Sequence, residues 1–280
     1  MASAERRPRV RRETIPGFLG HSAILLASCV ADVCRAIEDL ARQGLGQRAF
    51  ISRAALHVRQ SVPFDVCSWL TYDPDVVLPT NGYDTGETKT FEVRLRYCAN
   101  EQLEEDVHKF RDLALAVVPV GVQDRTRQSA QGASRRFREL LEPGGMAAEL
   151  RAALVVDGGC WGSLTLERSR GGPSFSPAEV RAVADISTAL AVGLARASFA
   201  RPAAVADVPD GPGVLVVDAH GGIVSASEAA AGWLDVLRGT VIGPQSAVPV
   251  PVVAVAARTR AVGQTRLRVR TGDGHWLTLH

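Results

Sequence analysis

The chain has 280 residues, which favours two domains at roughly 150 residues per domain. Hydrophobic residues make up 46% of it and charged residues 22%, a balance typical of a globular rather than a disordered chain. The 32 basic and 30 acidic residues leave a formal net charge of +2, which argues against a nucleic-acid-binding surface covering the whole chain. Neither lysine, Lys89 or Lys109, follows a glycine, so a phosphate-binding P-loop is excluded.

Residues 1–20 are predicted to form a basic, disordered arm, and residues 21–46 an amphipathic helix. Apolar residues recur in that segment at alternating spacings of 4 and 3: Leu26, Val30, Val33, Ile37 and Leu40. An export signal is the alternative, because arginines precede an apolar stretch that ends in Cys29. The helical pattern continues through that cleavage point, and no stretch reaches the roughly 18–20 apolar residues of a membrane span.

Residues 47–200 are predicted to form the main domain, with helices and strands in mixed order. The first half has a helix stopped by Pro63, a strand over 64–72, a loop over 79–90, a strand or extended segment over 91–97, and a helix over 101–113. The second half has a strand over 116–122, a short basic helix over 134–141, and a hairpin of 150–156 and 160–167. A capping box at Ser176 to Glu179 then begins a helix that ends near Arg196. This order predicts an α+β fold, an antiparallel sheet flanked by helices.

Residues 201–212 are rich in Pro, Ala and Asp and are predicted to be a linker. Residues 213–280 form a second, shorter unit. It begins with a strand, a Gly-Gly turn, a second strand, and a helix capped by a box from Ser225 to Glu228.

Several segments resemble known sensor domains: VPFDVCSWLTYD, EDVHKF, RRFRELLEP, and LRAALVVDGGCWGSLTLERS followed by FSPAEV. They resemble GAF-type sensor domains and, more narrowly, the sensor half of actinobacterial LuxR-type transcriptional regulators. The segment PGVLVVDAHGGIVSASEAAAGWL is similar to the beginning of a PAS-like domain. The resemblance implies a GAF-like antiparallel sheet flanked by helices, followed by a partial PAS-like α/β unit.

In that family a C-terminal helix-turn-helix binds DNA, and no residues here match one. We therefore expect DNA contacts only through a helix-turn-helix that is not present in this chain. We also expect the chain to be a fragment or a shortened product, since about 70 residues are too few for a whole PAS domain.

No arrangement of residues in the sequence indicates catalysis or a metal site. The histidines lack HxxxH and HExxH spacing, and GxSxG is absent. Asp73 and Asp75 flank Pro74, which favours a turn over a pair of acid/base carboxylates. The run from His108 to Phe110 superficially resembles part of a cyclic-nucleotide signature, but the spacing of its other members is not met. We expect no enzymatic activity, no cofactor and no metal.

A ligand pocket is expected against the sheet. Its candidate lining residues are Trp69 and Trp161 on predicted core strands, and Phe110 and Phe137 on lateral helices. The alternative is that all four are ordinary core residues. Cys67 and Cys160 are expected to be buried thiols, because nothing basic adjoins either one to make it a redox sensor.

These observations predict a cytoplasmic sensory module of a one-component transcriptional regulator, with no membrane contact. It would bind an unknown small molecule or partner and transmit the signal in a homodimer. The dimer would form through the seam of the N-terminal helix, from Leu26 to Leu40, and the helix at 177–197. The alternative is a structural dimerisation module with no small ligand.

Overall fold

The computed structural model describes residues 18–85, 90–126, 134–200, 209–218, 221–238, 248–271 and 274–280, without the side chains of 18–29, 85 and 91. The predicted arm before residue 18 and most of the predicted linker lie outside the described residues.

Five antiparallel strands form the central sheet in the order β2-β1-β5-β4-β3. They are β1 (Val66–Asp73), β2 (Leu78–Thr85), β3 (Val120–Asp124), β4 (Met146–Val156) and β5 (Gly159–Ser169). The β4–β5 hairpin turns at Asp157 and Gly158, whose φ angles are 51° and 75°. Positive φ at both turn positions matches the twist of the strands, and Asp-Gly supplies it readily. The predicted hairpin is confirmed.

Three helices cover one face of this sheet: α1 (Phe18–Arg42), α2 (Gln47–Ser61) and α5 (Pro177–Ser198). The predicted capping box starts α5, because the Ser176 hydroxyl accepts from the Glu179 amide and the Glu179 carboxylate accepts from the Ser176 amide. Gly193 lets α5 approach α2, since a Cβ at that position would lie 2.0 Å from the Phe50 ring.

The apolar seam of α1 is buried within its own chain. Val30, Val33, Ile37 and Leu40 belong to the core that α1, α2 and α5 form over the sheet. The side chain of Leu26 lies outside the described residues. One chain already covers the four seam residues, so a dimer through this face would require them to leave their contacts within the chain and contact the second copy instead. Homodimerisation stays a prediction.

Shorter elements lie on the other face: α3 (Phe91–Leu103), α4 (Phe110–Leu113) and a π-helical turn (Phe137–Leu141). Two predictions are wrong here. The predicted loop over 79–90 contains most of β2, and the segment 91–97, predicted as a strand or an extended segment, is the first half of α3. The Thr90 hydroxyl caps α3 by accepting from the Val93 amide, and the helix continues well past the alternating segment. The predicted helix over 101–113 is interrupted, because α3 ends at Leu103 and His108 has φ 55°.

The C-terminal unit has two small antiparallel hairpins and two helices. They are β6 (Leu215–Val217), β7 (Ile223–Ala226), α6 (Glu228–Arg238), α7 (Val250–Val262), β8 (Leu267–Arg270) and β9 (Trp276–Leu279). The Ser227 hydroxyl, rather than Ser225, caps α6 by accepting from the Ala230 amide, so the predicted box is wrong. Whether this unit is PAS-like stays a prediction.

The C-terminal unit is attached to the central sheet by apolar and charged contacts. Leu78 of β2 is part of its core, and the Asp73 carboxylate at the end of β1 accepts from the amide and guanidinium of Arg268. Within the described residues, no helix combines the length and apolar character needed to cross a membrane.

Candidate functional site

A cavity of about 140 Å³ lies on the sheet face opposite α1, α2 and α5. Successive side chains of a strand point to opposite faces of the sheet. The residues that alternate with the core-facing ones therefore form the floor of the cavity. On β1, Cys67 and Trp69 belong to the helical core. The floor side chains of the three central strands are Ser68, Leu70 and Tyr72, Glu149 and Arg151, and Thr165 and Glu167.

The roof and rim of the cavity come from both units of the chain. Helix α3 contributes the roof, including Leu95, Tyr97 and Cys98, and Phe110 comes from α4. One end of the cavity is lined by Val248, which lies two residues before α7, and by Val250 and Val253 in the first turn of α7. A molecule in the cavity would therefore touch the sheet and the C-terminal unit together.

A buried ion pair lies at one end of the floor. Glu149 on β4 is in register with Glu167 on β5, and two carboxylates placed opposite each other repel. The guanidinium of Arg136, only 1% exposed, offsets this repulsion by donating to both oxygens of Glu149, at 2.8 to 3.3 Å. Burial alone would lower the pKa of Arg136, but the Glu149 carboxylate raises it overall, so the guanidinium stays charged.

Arg151 lies beside this pair with a different set of partners. One terminal nitrogen donates to the His108 carbonyl at 2.7 Å, and the other to the Glu101 carboxylate at 2.8 Å. The guanidinium carbon lies 3.7 Å from the centre of the Phe110 ring, a cation–π contact. Glu101 also accepts from the Phe110 amide at 2.6 Å, which ties α3, α4 and β4 together.

Burial sets the protonation of the weak acids in the cavity. It raises the pKa of Tyr97 well above its usual value, helped by the nearby carboxylates of Glu167 and Glu149. It raises the pKa of Tyr72 in the same way, together with Glu101, and the Tyr72 hydroxyl donates to Ser163 at 3.0 Å. Burial also raises the pKa of Cys98 to about 12. These groups are therefore neutral at physiological pH.

The four residues predicted to line a pocket are not brought together. Phe110 lines the cavity, with its ring 6.1 Å from that of Tyr72. Trp69 is fully buried on the helical face, where its indole N–H has no hydrogen-bond partner among the described residues. Trp161 packs on the same core and contacts Phe199, and Phe137 is buried in the π-helical turn. Ligand contact by these residues stays a prediction.

The sequence prediction missed the charged residues of the cavity. Glu149, Arg151 and Glu167 lie in segments predicted as strands or next to them, and all three are nearly inaccessible to solvent. A signal was present in β4, because Glu149 and Arg151 are two residues apart in a strand whose other residues are apolar. The apolar residues and the charged residues of such a strand are both buried only when both faces of the sheet are covered. The local sequence around the strand does not show that second covering layer.

A second cavity, of about 650 Å³, lies within the C-terminal unit. It is lined by β6 and β9 together with faces of α6 and α7, including Trp233 and Thr259. No cluster of paired charges comparable to that of the first cavity lines it among the described residues. We therefore take the first cavity as the candidate site.

Comparison with known proteins agrees with this fold. A family model described as GAF domain matches residues 31–194, more than half of the chain, and the chain therefore belongs to the GAF domain family. The predicted fold class and the GAF part of the predicted resemblance are thus confirmed. No match is found among curated proteins.

Three similar solved structures are also GAF domains. The phycoerythrobilin-bound GAF domain of a cyanobacterial phytochrome is 18% identical with a TM-score of 0.42, over 60% of this chain and 95% of that one. A GAF domain/HD domain protein from Geobacter sulfurreducens is 20% identical with a TM-score of 0.34, over 61% and 97%. The GAF domain of a phosphoenolpyruvate-protein phosphotransferase from Coxiella burnetii is 14% identical with a TM-score of 0.38, over 60% and 94%.

Proposed function

We propose that the chain is the sensory module of a one-component transcriptional regulator, and that it binds a small molecule in the cavity between the sheet and α3. GAF domains are sensory and regulatory modules that bind small molecules. The observation that carries the proposal is the cavity itself, a largely apolar space with a few buried polar groups. The proposal assigns no catalytic step to the chain.

The signal would leave the cavity through α7. Val250 and Val253 line the cavity, while Val252 and Val255 on the same helix belong to the core of the C-terminal unit. A ligand that contacts α7 more favourably in one arrangement of the helix than in another would shift the population towards the first arrangement. The division into a sensor at 47–200 and a second unit at 213–280, the DNA-binding context, the homodimer and the cytoplasmic location are parts of this proposal and rest on the sequence resemblance.

A thermal-shift screen of the 280-residue protein against a metabolite library tests ligand binding. A ligand of the native state raises the melting temperature by mass action. The Leu70→Phe variant fills the cavity and should lose the increases in melting temperature that ligands cause in wild type. The control Leu56→Phe, at a residue of α2 that is 65% exposed, should keep those increases. No shift in wild type, or shifts that survive in Leu70→Phe, would contradict the proposal.

A dimerisation module without a small ligand is the second candidate. The observation that favours it is an exposed aromatic pair, because Phe199 is 60% and Trp276 56% exposed, with ring centroids 6.1 Å apart. Exposed aromatic side chains are enriched at protein interfaces. Sedimentation of wild type and of a Phe199→Ser/Trp276→Ser double variant tests it. A dimer that dissociates in the double variant supports this function, and a monomeric wild type contradicts it.

A further inference from the structure

The two hairpins of the C-terminal unit leave one edge of each open. Among the described residues, β6 pairs only with β7, and β9 pairs only with β8. The second cavity is lined by residues 215–217 of β6 and 277–279 of β9, and its described lining includes no residue of β7 or β8. Consecutive side chains of a strand point to opposite faces. A cavity that touches consecutive residues of the outer strands alone therefore runs along the open edges of β6 and β9.

Backbone groups at both edges point towards this cavity. In an antiparallel pair, residues alternate between those that bond to the partner strand and those that point away from it. The Ser227 amide donates to the Val214 carbonyl at 2.9 Å, so the backbone of the next residue, Leu215, points away from β7. The amide of Arg268, the residue opposite Thr278, donates to a carboxylate of β1 at 2.8 Å instead of to β9. The backbone of Thr278 therefore points away from β8.

The open edges lack two features that keep strands from pairing with other chains. Natural sheets often protect an exposed edge with charged side chains or prolines. Strand β6 consists of Leu, Val and Val, and β9 consists of Trp, Leu, Thr and Leu, so neither strand carries a charge or a proline. Two such edges on one cavity are suited to receive a further strand between them.

The remaining walls of the second cavity fit one face of an incoming strand. Leu234 and Leu237 of α6, and Val252 and Val255 of α7, line the cavity and belong to the core of the C-terminal unit. Apolar side chains at alternate positions of the incoming strand would pack on them. The described lining includes the guanidinium of Arg260 and no aspartate or glutamate side chain. A carboxylate on the incoming strand would therefore be attracted to that part of the cavity.

The lengths of the two edges set the length of the occupant. Strand β6 has three residues and β9 has four, which at about 3.3 Å per residue gives an edge of about 10–13 Å. We infer that the second cavity is a strand-addition site, which binds an extended segment of a different polypeptide with apolar residues at alternate positions and a carboxylate near Arg260. The site shares no described lining residue with the first cavity, so its failure would leave the proposed function intact.

A capped peptide, Thr-Val-Thr-Val-Thr-Asp, tests the site on the 280-residue protein. It is a fair probe because main-chain hydrogen bonds give the affinity in strand addition. At about 1 mM it should slow hydrogen exchange of the Leu215 and Thr278 amides at least about tenfold, and leave the Leu150 amide of the central sheet unchanged. An analogue N-methylated at its two central residues has lost donors towards both edges and should bind at least about tenfold more weakly. Both readouts need only wild-type protein.

Three variants complete the test. Thr278→Pro removes the amide that points into the cavity without breaking a bond to β8, and it should weaken peptide binding at least about tenfold. Its matched control Thr278→Val keeps that amide and should bind like wild type. Arg260→Gln should abolish the preference for the peptide over an analogue in which asparagine replaces the aspartate.

Three results would overturn the site. They are no binding at about 1 mM, equal binding of the N-methylated analogue, and slowed exchange that spares Leu215 and Thr278. Sedimentation identifies the source of the strand. A wild-type dimer that Thr278→Pro dissociates would mean that a second copy of this chain occupies the cavity, which would overturn the assignment to a different polypeptide.

Discussion

The ion pair between Arg136 and Glu149 should be essential for stability. Its guanidinium and carboxylate are both 1% exposed, so neither can be rehydrated without opening the domain. Replacing Arg136 by Met keeps most of the volume and removes the charge. Glu149 then loses its guanidinium partner while it stays buried opposite Glu167. Breaking a buried pair in this way costs about 3–5 kcal/mol, against a total stability of about 5–15 kcal/mol for a typical domain.

Urea unfolding followed by circular dichroism measures this loss. Arg135→Met is the matched control, because Arg135 is the residue before Arg136, is 48% exposed, and makes its shortest ion pair with Glu139, which is 39% exposed. That control should unfold like wild type within error. Adding Glu149→Gln to Arg136→Met should recover part of the stability, since the buried negative charge that Arg136 no longer neutralises is then removed.

The loss should also depend on pH in a definite direction. Without Arg136, burial should raise the pKa of Glu149 in the folded variant above its unfolded value of about 4.3. The folded variant then binds more protons than the unfolded one. Its loss of unfolding free energy relative to wild type therefore shrinks as pH falls towards about 4 and grows as pH rises. A loss below about 1 kcal/mol at neutral pH, or one equal to that of Arg135→Met, would refute the reasoning.

Three further changes test other parts of the fold. Ser176→Ala removes the side-chain cap of α5 and should cost about 1 kcal/mol in urea unfolding, whereas Ser176→Asp should retain most of the stability. Gly193→Ala forces a methyl group onto Phe50 and should cost about 1–3 kcal/mol of unfolding free energy. Adding Phe50→Leu should restore part of that loss. An unchanged urea midpoint in Gly193→Ala would contradict the close approach of α5 and α2. Burial, together with repulsion from Arg136 and Arg151, lowers the pKa of His108 in the folded protein. As pH drops through about 6.5, His108 is therefore protonated in the unfolded chain before it is protonated in the folded one, and the stability should fall. His108→Gln should flatten that part of the profile, and an identical profile in the variant would contradict the assignment.

Local signals predicted the parts of the fold that depend on local chemistry. Asp157 and Gly158 specify their turn by backbone conformation, and Ser176 and Glu179 specify the start of α5 by hydrogen bonds between neighbours. The alternation over 91–97 gave the wrong element, because over seven residues it fits a strand as well as the first turns of a capped helix. The segment of β2, LPTNGYDT, lacks a strand-like pattern and pairs with β1 through contacts that only the folded sheet supplies.

The site was less predictable than the fold. Aromatic residues commonly line pockets, yet Trp69 and Trp161 face the helices, and of the four predicted residues only Phe110 reaches the cavity. The face to which a strand residue points follows from register, and register follows from the whole sheet. Buried charges such as Arg151 are recognisable only once α3 and α4 are known to cover them.

The central claim is that the cavity between the sheet and α3 binds a small molecule. Crystals of the protein soaked with a compound that raises the melting temperature of wild type but not of Leu70→Phe test it most directly. The account predicts density for that compound between Leu70 and Phe110. An empty cavity in crystals whose other sites hold the compound would contradict it.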